Sequence, residues 1–331
     1  MTADLGARDV AGRHGEPEQP HQLAGQAEKQ DGGSVGGVYA SGSVTITDCA
    51  ITGNSTEERY GAGGVAALDS VIVTNCAITG NSGGSGVFAS DFVTVTDCTI
   101  TGNSAYGAGG GFCVRGSPTL VRCTIAGNRA SGRSSEGAGG GGVSCEISSS
   151  PTLTDCTITG NMVEDGNGGG VWCGPESSPA LAGCRIAGNS ADVAGGGVFF
   201  RYASSPVLTD CAIVGNFTKE GGGIYCYESS PTLTNCTLTG NSANRGGGVC
   251  GNAASTPTLT SCIVWGNSGE AILGDADFSP SVAYSCIEGE PVWPGEGNIN
   301  GDPLFCGWDA RGEVWVDPAN PAAGDGSEAN P

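Results

Sequence analysis

The sequence predicts an all-β solenoid of parallel strands, in which short coils stack on one another. Three observations lead to this fold class. A motif recurs about every 25 residues, its aliphatic positions alternate with Thr and Ser, and glycine accounts for 61 of the 331 residues. A repeat period of roughly 20–50 residues is typical of solenoids, and so short a unit buries its apolar face only against its neighbours. We expect about ten coils with three short strands each.

The first predicted strand of each coil leads into a recurrent cysteine. In SPTLTNCTLTGN, Leu233 points inward, Thr234 and Asn235 form a bend, and Cys236 points inward again. The position three residues before the cysteine is aliphatic in all nine full copies. A degenerate tenth copy, SVAYSCIEG, carries Cys286. The nine repeated cysteines are Cys49, Cys76, Cys98, Cys123, Cys156, Cys184, Cys211, Cys236 and Cys262.

The second strand follows the cysteine and ends in a Gly-Asn turn. An aliphatic residue stands two positions after every repeated cysteine, which is the spacing of one strand face. Glycine relieves the turn of steric strain, and the asparagine amides can form a ladder in which each member is satisfied. This interpretation is preferred to a catalytic or glycan-acceptor role for the nine asparagines Asn54, Asn81, Asn103, Asn128, Asn161, Asn189, Asn216, Asn241 and Asn267.

The third strand comes from the glycine-rich blocks, as in Gly170-Val171-Trp172-Cys173. Its outward residue, coil by coil, includes the consecutive trio Trp172, Phe199 and Tyr225. We expect an outward aromatic strip there, flanked by Arg201, Tyr202 and Tyr227, that contacts carbohydrate by stacking against sugar rings. The alternative is that a loop or a neighbouring module covers these large rings.

The repeat GGGIYCYESSPTLTNCTLTGNSA resembles the right-handed parallel β-helix repeats of the pectate-lyase-like superfamily, in the form found in secreted and surface proteins of bacteria. The resemblance runs from Ser34 to about Phe305. It implies an extracellular or cell-surface location, although no signal peptide is visible in residues 1–33. The same coil carries enzymes, adhesins and inert spacers, so the resemblance alone does not choose among these functions.

The repeats divide the chain into three predicted parts. Residues 1–33 form a polar leader, disordered or a weak cap, and residues 34–290 form the parallel β-helix. Residues 291–331 form an acidic closing segment, whose NINGDPLF resembles the closing segment of such β-helices. The following VWVDPANPAAGDGSEANP resembles the start of a further β-helix module, which predicts that the partners include further modules of a longer chain.

The formal net charge of −21 excludes several classes of partner. Nucleic acids need a basic face, and an acidic chain is repelled by anionic membrane surfaces. No run of 18 apolar residues predicts membrane insertion. No cofactor is expected; Ca²⁺ association stays open, but the acids of residues 270–296 lack calcium-loop spacing.

The sixteen cysteines allow three interpretations. Their density is about half that of a disulfide scaffold, and side chains stacked in register run parallel where a disulfide needs them to converge. No CxxC pair occurs, and the only histidines are His14 and His21, so no metal site is expected. We prefer small, buried, free thiols.

The candidate acids for catalysis are the outward residues just before each repeated cysteine. Asp48, Asp97, Asp155 and Asp210 lie in this row, but never on adjacent coils. Two coils separate the nearest carboxylates, roughly 10 Å, near the upper limit for an inverting glycosidase pair. We therefore interpret them as bend formers. No catalytic residue is assigned, and whether the chain is an enzyme is left open, with no catalysis favoured.

The outward TxT pairs, such as Thr152 and Thr154, resemble the threonine arrays of ice-binding solenoids. Along the sequence the array is interrupted by Arg122, Ala180, Ala182, Arg185 and Val214, and threonine is in any case a good residue for a solvated strand. The prediction is therefore a non-catalytic, extracellular β-helix module that serves as a rigid structural or adhesive surface and contacts polysaccharide or a cell-surface glycan. The alternative is a polysaccharide lyase or glycoside hydrolase of the pectin-lyase-like superfamily.

Overall fold

The computed structural model describes residues 22–24, 27–28, 35–57, 61–90, 92–107, 109–131, 138–252, 254–303, 305–308 and 314–316. These residues form a parallel β-solenoid, and each coil contributes one strand to each of three long sheets. The predicted all-β fold with three short strands per coil is confirmed. Among the described residues, no helix is long and apolar enough to cross a membrane.

The sheet before the bend is called the threonine sheet, since threonine dominates its outer face. Its parallel strands are Val44–Thr47, Val71–Thr74, Thr94–Thr96, Thr119–Val121, Thr152–Thr154, Ala180–Ala182, Val207–Thr209, Thr232–Thr234, Thr258–Thr260 and Ser281–Ala283.

The sheet after the bend is called the isoleucine sheet, after its main inward residue. Its strands are Ala50–Thr52, Ala77–Thr79, Thr99–Thr101, Thr124–Ala126, Thr157–Thr159, Arg185–Ala187, Ala212–Val214, Thr237–Thr239, Ile263–Trp265 and Cys286–Ile287.

The third sheet, called the glycine sheet, follows the glycine-rich blocks. Its parallel strands are Val38–Ser41, Ala62–Leu68, Ser85–Ala89, Phe112–Val114, Val143–Cys145, Val171–Cys173, Val198–Arg201, Ile224–Tyr227, Val249–Asn252 and Ile272–Gly274.

Shorter strands complete the coils and their ends. Between the Gly-Asn turn and the glycine block lies a short fourth sheet of Ser82–Gly83, Ser104–Tyr106, Arg129–Ser131, Met162–Glu164 and Ser190–Ala191, beside the pair Ala138–Gly139 and Gly166–Asn167. Antiparallel strands add to the first coil, Gln22–Ala24 on Val44–Thr47 and Ala27–Glu28 on Val38–Ser41. Phe305–Trp308 pairs with Val314–Val316.

The core consists of columns of like residues, because each strand pairs in register with the same strand of the next coil. Leu120, Leu153 and Leu181 stack in this way and are at most 2% exposed. Full burial of one such side chain contributes about 1.5–3 kcal/mol. Since every coil offers its apolar residues to the coils on both sides, the coils stabilise one another in series.

Each position of the repeated triple glycine requires glycine for a different reason, as the block Gly195-Gly196-Gly197 shows. Gly195 has φ of +67°, and a Cβ there would lie 2.7 Å from the Cβ of Phe199. At Gly196 a Cβ would lie 2.6 Å from the Phe217 carbonyl oxygen, which belongs to the next coil. At Gly197 it would lie 3.0 Å from Nδ2 of Asn216. Three consecutive residues therefore need hydrogen as their side chain.

In the tenth coil, a serine takes the position that the repeated cysteine has in the other coils. Ile263 pairs with Cys286, which places Ser285, one residue earlier, in the column of repeated cysteines. The Ser285 hydroxyl donates to the Ala283 carbonyl at 2.8 Å and accepts from the Cys262 backbone nitrogen at 3.0 Å. Cys286, the cysteine of the degenerate tenth copy, therefore lies one position beyond the column and begins the last strand of the isoleucine sheet.

The last coil is followed by a segment that continues its hydrogen bonding. Asn298 accepts from the Ser285 backbone nitrogen at 3.0 Å and donates to the Val282 carbonyl at 2.9 Å. The backbone nitrogen of Ile299 donates to the Ser285 carbonyl at 2.9 Å, and its carbonyl accepts from Ile287 at 3.0 Å. Residues 296–299 therefore cover backbone groups that the last strand would otherwise present to solvent.

Candidate functional site

The repeated cysteines form one buried column of free thiols at the corner between the threonine and isoleucine sheets. Each thiol lies within hydrogen-bonding distance of the carbonyl two residues before it, at 3.1–3.5 Å. From Cys76 onward each also lies near a carbonyl of the preceding coil, as Cys156 does with Leu120 at 3.7 Å. These contacts give the thiols a structural role in the corner.

The turn asparagines form a continuous amide column beside the thiols. From Asn81 onward, the Oδ1 of each one accepts from both the backbone nitrogen and the Nδ2 of the asparagine one coil before, at 2.9–3.0 Å throughout. Nδ2 also donates to an aliphatic residue of the preceding coil, as Asn189 does to Ile158 at 2.9 Å. Buried amides whose hydrogen bonds are satisfied in this way have a structural role.

The acids considered for catalysis lie at the bend, where the backbone is left-handed. Asp48, Asp97, Asp155 and Asp210 have φ of 52–54°, a region that Asp tolerates better than most residues. Between them in the row stand Asn75, Arg122, Gly183 and Asn235. Aspartates therefore alternate with neutral or basic residues.

Three of the four carboxylates accept hydrogen bonds from the residue that follows them in the row on the next coil. Asn75 donates to Asp48, and Asn235 donates to Asp210. Arg122 holds both oxygens of Asp97 at 2.8 Å, and this hydrogen bond lowers the pKa of the Asp97 carboxyl. No two carboxylates of this row are neighbours, so the row lacks the close carboxylate pair on which glycoside hydrolysis relies.

The aromatic trio lies on one column of the glycine sheet, as the repeat spacing predicts. Ser144, Trp172, Phe199, Tyr225 and Cys250 are register partners on consecutive coils. The rings of Phe199 and Tyr225 are stacked, with centroids 5.5 Å apart and planes 2° apart. The column points away from the main core and forms a second, smaller apolar cluster with Ala194.

The expectation of an accessible strip at these three residues needs correction. Trp172, Phe199 and Tyr225 are only 7%, 6% and 6% exposed. The reason is local: Gly168, Gly195 and Gly221, each with positive φ, fold the incoming chain back against the aromatic residue four positions later. The covering loop considered as the alternative is thus part of each coil itself.

A polar group of side chains closes the end of this aromatic cluster. The Tyr225 hydroxyl accepts from Nδ2 of Asn252 at 2.8 Å, and Glu220 pairs with Arg245 at 3.5 Å. Burial, and secondarily the nearby Glu220 carboxylate, raises the pKa of Tyr225 well above its ordinary value. Burial also raises the pKa of Cys250 to about 11. Both groups are therefore protonated at neutral pH.

Three half-exposed side chains remain accessible beside the buried trio: Arg201, Tyr202 and Tyr227, here called the tyrosine rim. The Arg201 guanidinium lies over the Tyr202 ring, 4.5 Å from its centroid. Tyr202 meets Tyr227 edge to face, with centroids 5.1 Å apart. Of the five predicted carbohydrate-contact residues, the structure thus leaves Arg201 and Tyr227 partly open.

The neighbours that support the rim were not identified by sequence pattern. Asn252 follows Arg201 and Tyr227 in the same register column, which the glycine-block alignment could have shown. Within the described parts of the chain, no cluster of three or more His, Cys, Asp or Glu residues is arranged to hold a metal ion. His14 and His21 lie outside the described residues.

A comparison with protein families is consistent with this geometry. The model of a family described as "Right handed beta helix region" matches residues 30–174 and 135–284. The two overlapping matches together cover residues 30–284, from the first coil into the tenth. No curated protein and no solved structure matched the chain.

Proposed function

Because the chain belongs to the right handed beta helix region family, we propose that it acts as a rigid, non-catalytic module at the bacterial cell exterior, presenting an adhesive surface that contacts carbohydrate. The observation that carries this proposal is the unbroken stacking of its coils. Ten parallel strands follow one another in each of the three long sheets.

Rigidity follows from the hydrogen bonds that join each coil to the next. Backbone pairing in three sheets is reinforced by the asparagine column, whose members from Asn81 to Asn241 are at most 1% exposed. Bending the rod would open several of these bonds at once, and each buried group left unpaired costs about 1–3 kcal/mol. A rod of ten coils at about 4.8 Å each extends roughly 45 Å, which suits a spacer or stalk.

A structural role is favoured over hydrolysis or elimination by the chemistry of the bend row. Asp48, Asp97 and Asp210 are each engaged by a donor from the next coil. An acid and a base that act on one glycosidic bond must face each other across it. The carboxylates of this row are spaced along the rod, and these three are held individually.

The tyrosine rim supports the carbohydrate part of the proposal. Tyr202 and Tyr227 present aromatic surface together with phenolic hydroxyls, and Arg201 adds hydrogen-bond donors. Aromatic surface with a few fixed polar groups is the usual composition of a small-molecule recognition site. Of the rim residues, Tyr227 packs against the buried cluster that contains Phe199 and Tyr225.

A binding experiment tests the contact. The purified chain is applied to a polysaccharide and glycan panel, and the variants Tyr202→Ala and Tyr227→Ala are compared with Tyr106→Ala. Tyr106 is 62% exposed on the short fourth sheet and is the matched control. We expect binding that both rim variants reduce and the control retains.

Two outcomes would contradict the proposal. Glycan binding that is absent, or unchanged in both rim variants, would remove the carbohydrate contact. Release of reducing or unsaturated ends from a polysaccharide would replace the structural role with the lyase or hydrolase alternative.

A further inference from the structure

The outer face of the threonine sheet carries no charged residue along its entire length. Two outward positions on each of ten strands give twenty positions, of which thirteen are threonine and none is Asp, Glu, Lys or Arg. They are Thr45, Thr47, Ile72, Thr74, Thr94, Thr96, Thr119, Val121, Thr152, Thr154, Ala180, Ala182, Val207, Thr209, Thr232, Thr234, Thr258, Thr260, Ser281 and Ala283. Charged residues make up 14% of the chain, so an extended surface without one is notable.

This face is open to solvent. Every one of the twenty positions is half-buried or exposed, while the residues between them on the same strands are buried. The isoleucine sheet differs, because three of its outer residues, Ala187, Val214 and Thr239, are only 6%, 4% and 7% exposed, and because it carries the charged Arg185. Among the described residues the threonine sheet is therefore the long face that is both charge-free and uncovered.

The strand register shows that the residues that interrupt the TxT pairs in the sequence lie on different faces of the solenoid. Arg122 lies in the bend row, and Arg185 and Val214 lie on the isoleucine sheet. Of the interruptions seen in the sequence, only Ala180 and Ala182 belong to the threonine sheet. Both are smaller than threonine and uncharged, so neither projects above the face.

The face is a regular two-column lattice. From Val44–Thr47 to Ser281–Ala283 the strands pair residue for residue with no irregularity. The columns repeat at about 4.8 Å along the rod, and the two residues of one strand lie about 6.7 Å apart. Threonine has few side-chain rotamers, so its hydroxyl and methyl groups are held near fixed positions on this lattice.

We propose that the outer face of the threonine sheet binds ice. A hydroxyl both donates and accepts a hydrogen bond, and each threonine adds a methyl group whose apolar surface restricts the orientation of first-shell water. Repeated in two directions, this arrangement matches a crystalline water surface, which also presents donors and acceptors at regular intervals. The face has no aromatic ring, amide or carboxylate with which to select a sugar.

The test uses charge placed on the face. The double variant Thr154→Lys/Thr209→Lys places two cations two coils apart near the middle of the threonine sheet. Their hydration shells would prevent close contact between this face and an ice surface. Thr99→Lys/Thr157→Lys places two cations at the same separation on the isoleucine sheet and is the matched control. Circular dichroism and thermal melting verify that both variants fold.

Inhibition of ice recrystallisation, thermal hysteresis and partition of the labelled protein into a growing ice crystal are then measured. We expect the unmodified chain and the isoleucine-sheet control to show all three, and the threonine-sheet variant to lose them. An unmodified chain that is excluded from ice would overturn the proposal, as would equal activity in the two variants. Retention on crystalline chitin or cellulose without any ice activity would reassign the face to polysaccharide, and concentration-dependent dimerisation that the threonine-sheet variant abolishes would reassign it to a second copy.

Discussion

Asn161 donates two hydrogen bonds to a single atom of Asn189, from its backbone nitrogen at 2.9 Å and from its Nδ2 at 3.0 Å, both to Oδ1. Asn189 in turn donates to Ile158 on the coil before at 2.9 Å. One side chain thus joins consecutive coils through three contacts in a fully buried position. The stability of the rod depends on columns of this kind.

Replacing Asn189 by Ala is expected to lower the free energy of unfolding by more than about 2 kcal/mol, because one buried N–H of the Asn161 backbone and one of its Nδ2 lose their acceptor at about 1–3 kcal/mol each. Urea unfolding followed by circular dichroism measures the change. Asn54→Ala is the control: Asn54 is half-buried, and no ladder asparagine precedes it, so its loss should cost less. Equal losses in the two variants would contradict a cooperative amide column.

Gly197→Ala is expected to destabilise the chain strongly. A Cβ there would lie 2.5 Å from the Gly223 carbonyl oxygen and 3.0 Å from the Asn216 amide, both in the next coil. Gly188→Asn is the matched control, since Gly188 has φ of +60° but nothing within 4 Å of an added Cβ, and Asn tolerates that conformation. Thermal melting compares the two; a Gly197→Ala variant as stable as the control would show that the coils can separate to admit a methyl group.

The thiols are expected to be reduced and unreactive in the folded chain. All fifteen described cysteines are free and buried, and a parallel, in-register pair does not have disulfide geometry. Titration with a thiol-specific chromogenic reagent should label these fifteen slowly under native conditions and rapidly in denaturant. Rapid native labelling, or a shortfall in denaturant that a reductant restores, would show that the column is open or cross-linked.

The pH dependence of stability is expected to show a loss in alkali that involves Tyr225. Burial raises the pKa of its hydroxyl, whereas an unfolded tyrosine ionises near pH 10. The folded state then holds the proton more tightly than the unfolded state. The contribution of the Tyr225 hydroxyl to the free energy of unfolding is therefore complete below about pH 10 and is lost as the pH rises further. The free energy of unfolding, measured between about pH 9 and pH 11, should fall more steeply with pH for the unmodified chain than for Tyr225→Phe.

A direct titration checks the same group. Absorbance at the tyrosinate band should show that the last phenol to ionise in the native chain is lost in Tyr225→Phe, because burial raises the pKa of this hydroxyl. Tyr106→Phe, at an exposed position, should leave the late phase unchanged. A native chain without a late-ionising tyrosine would contradict the burial of this ring.

The candidate site could be predicted only in part. That Trp172, Phe199 and Tyr225 lie in one column follows from the spacing of the glycine blocks, and the register agrees. Their burial does not follow, because it depends on Gly168, Gly195 and Gly221 adopting positive φ and turning the chain back over the rings. That Ser285, and not Cys286, takes the cysteine position of the tenth coil likewise depends on how the final strand pairs.

The sequence by itself determined the repeat, the inward residues and the all-β solenoid, because a period near 25 residues with alternating aliphatic positions leaves few other ways to bury apolar surface. Only the tertiary structure decided which outward residues share a face and which are covered. Residues such as Thr154, Thr209 and Arg185 look alike as exposed positions in a strand. Stacking assigns the two threonines to an open, charge-free sheet and the arginine to another sheet, since neighbours on a solenoid surface are about 25 residues apart in the chain.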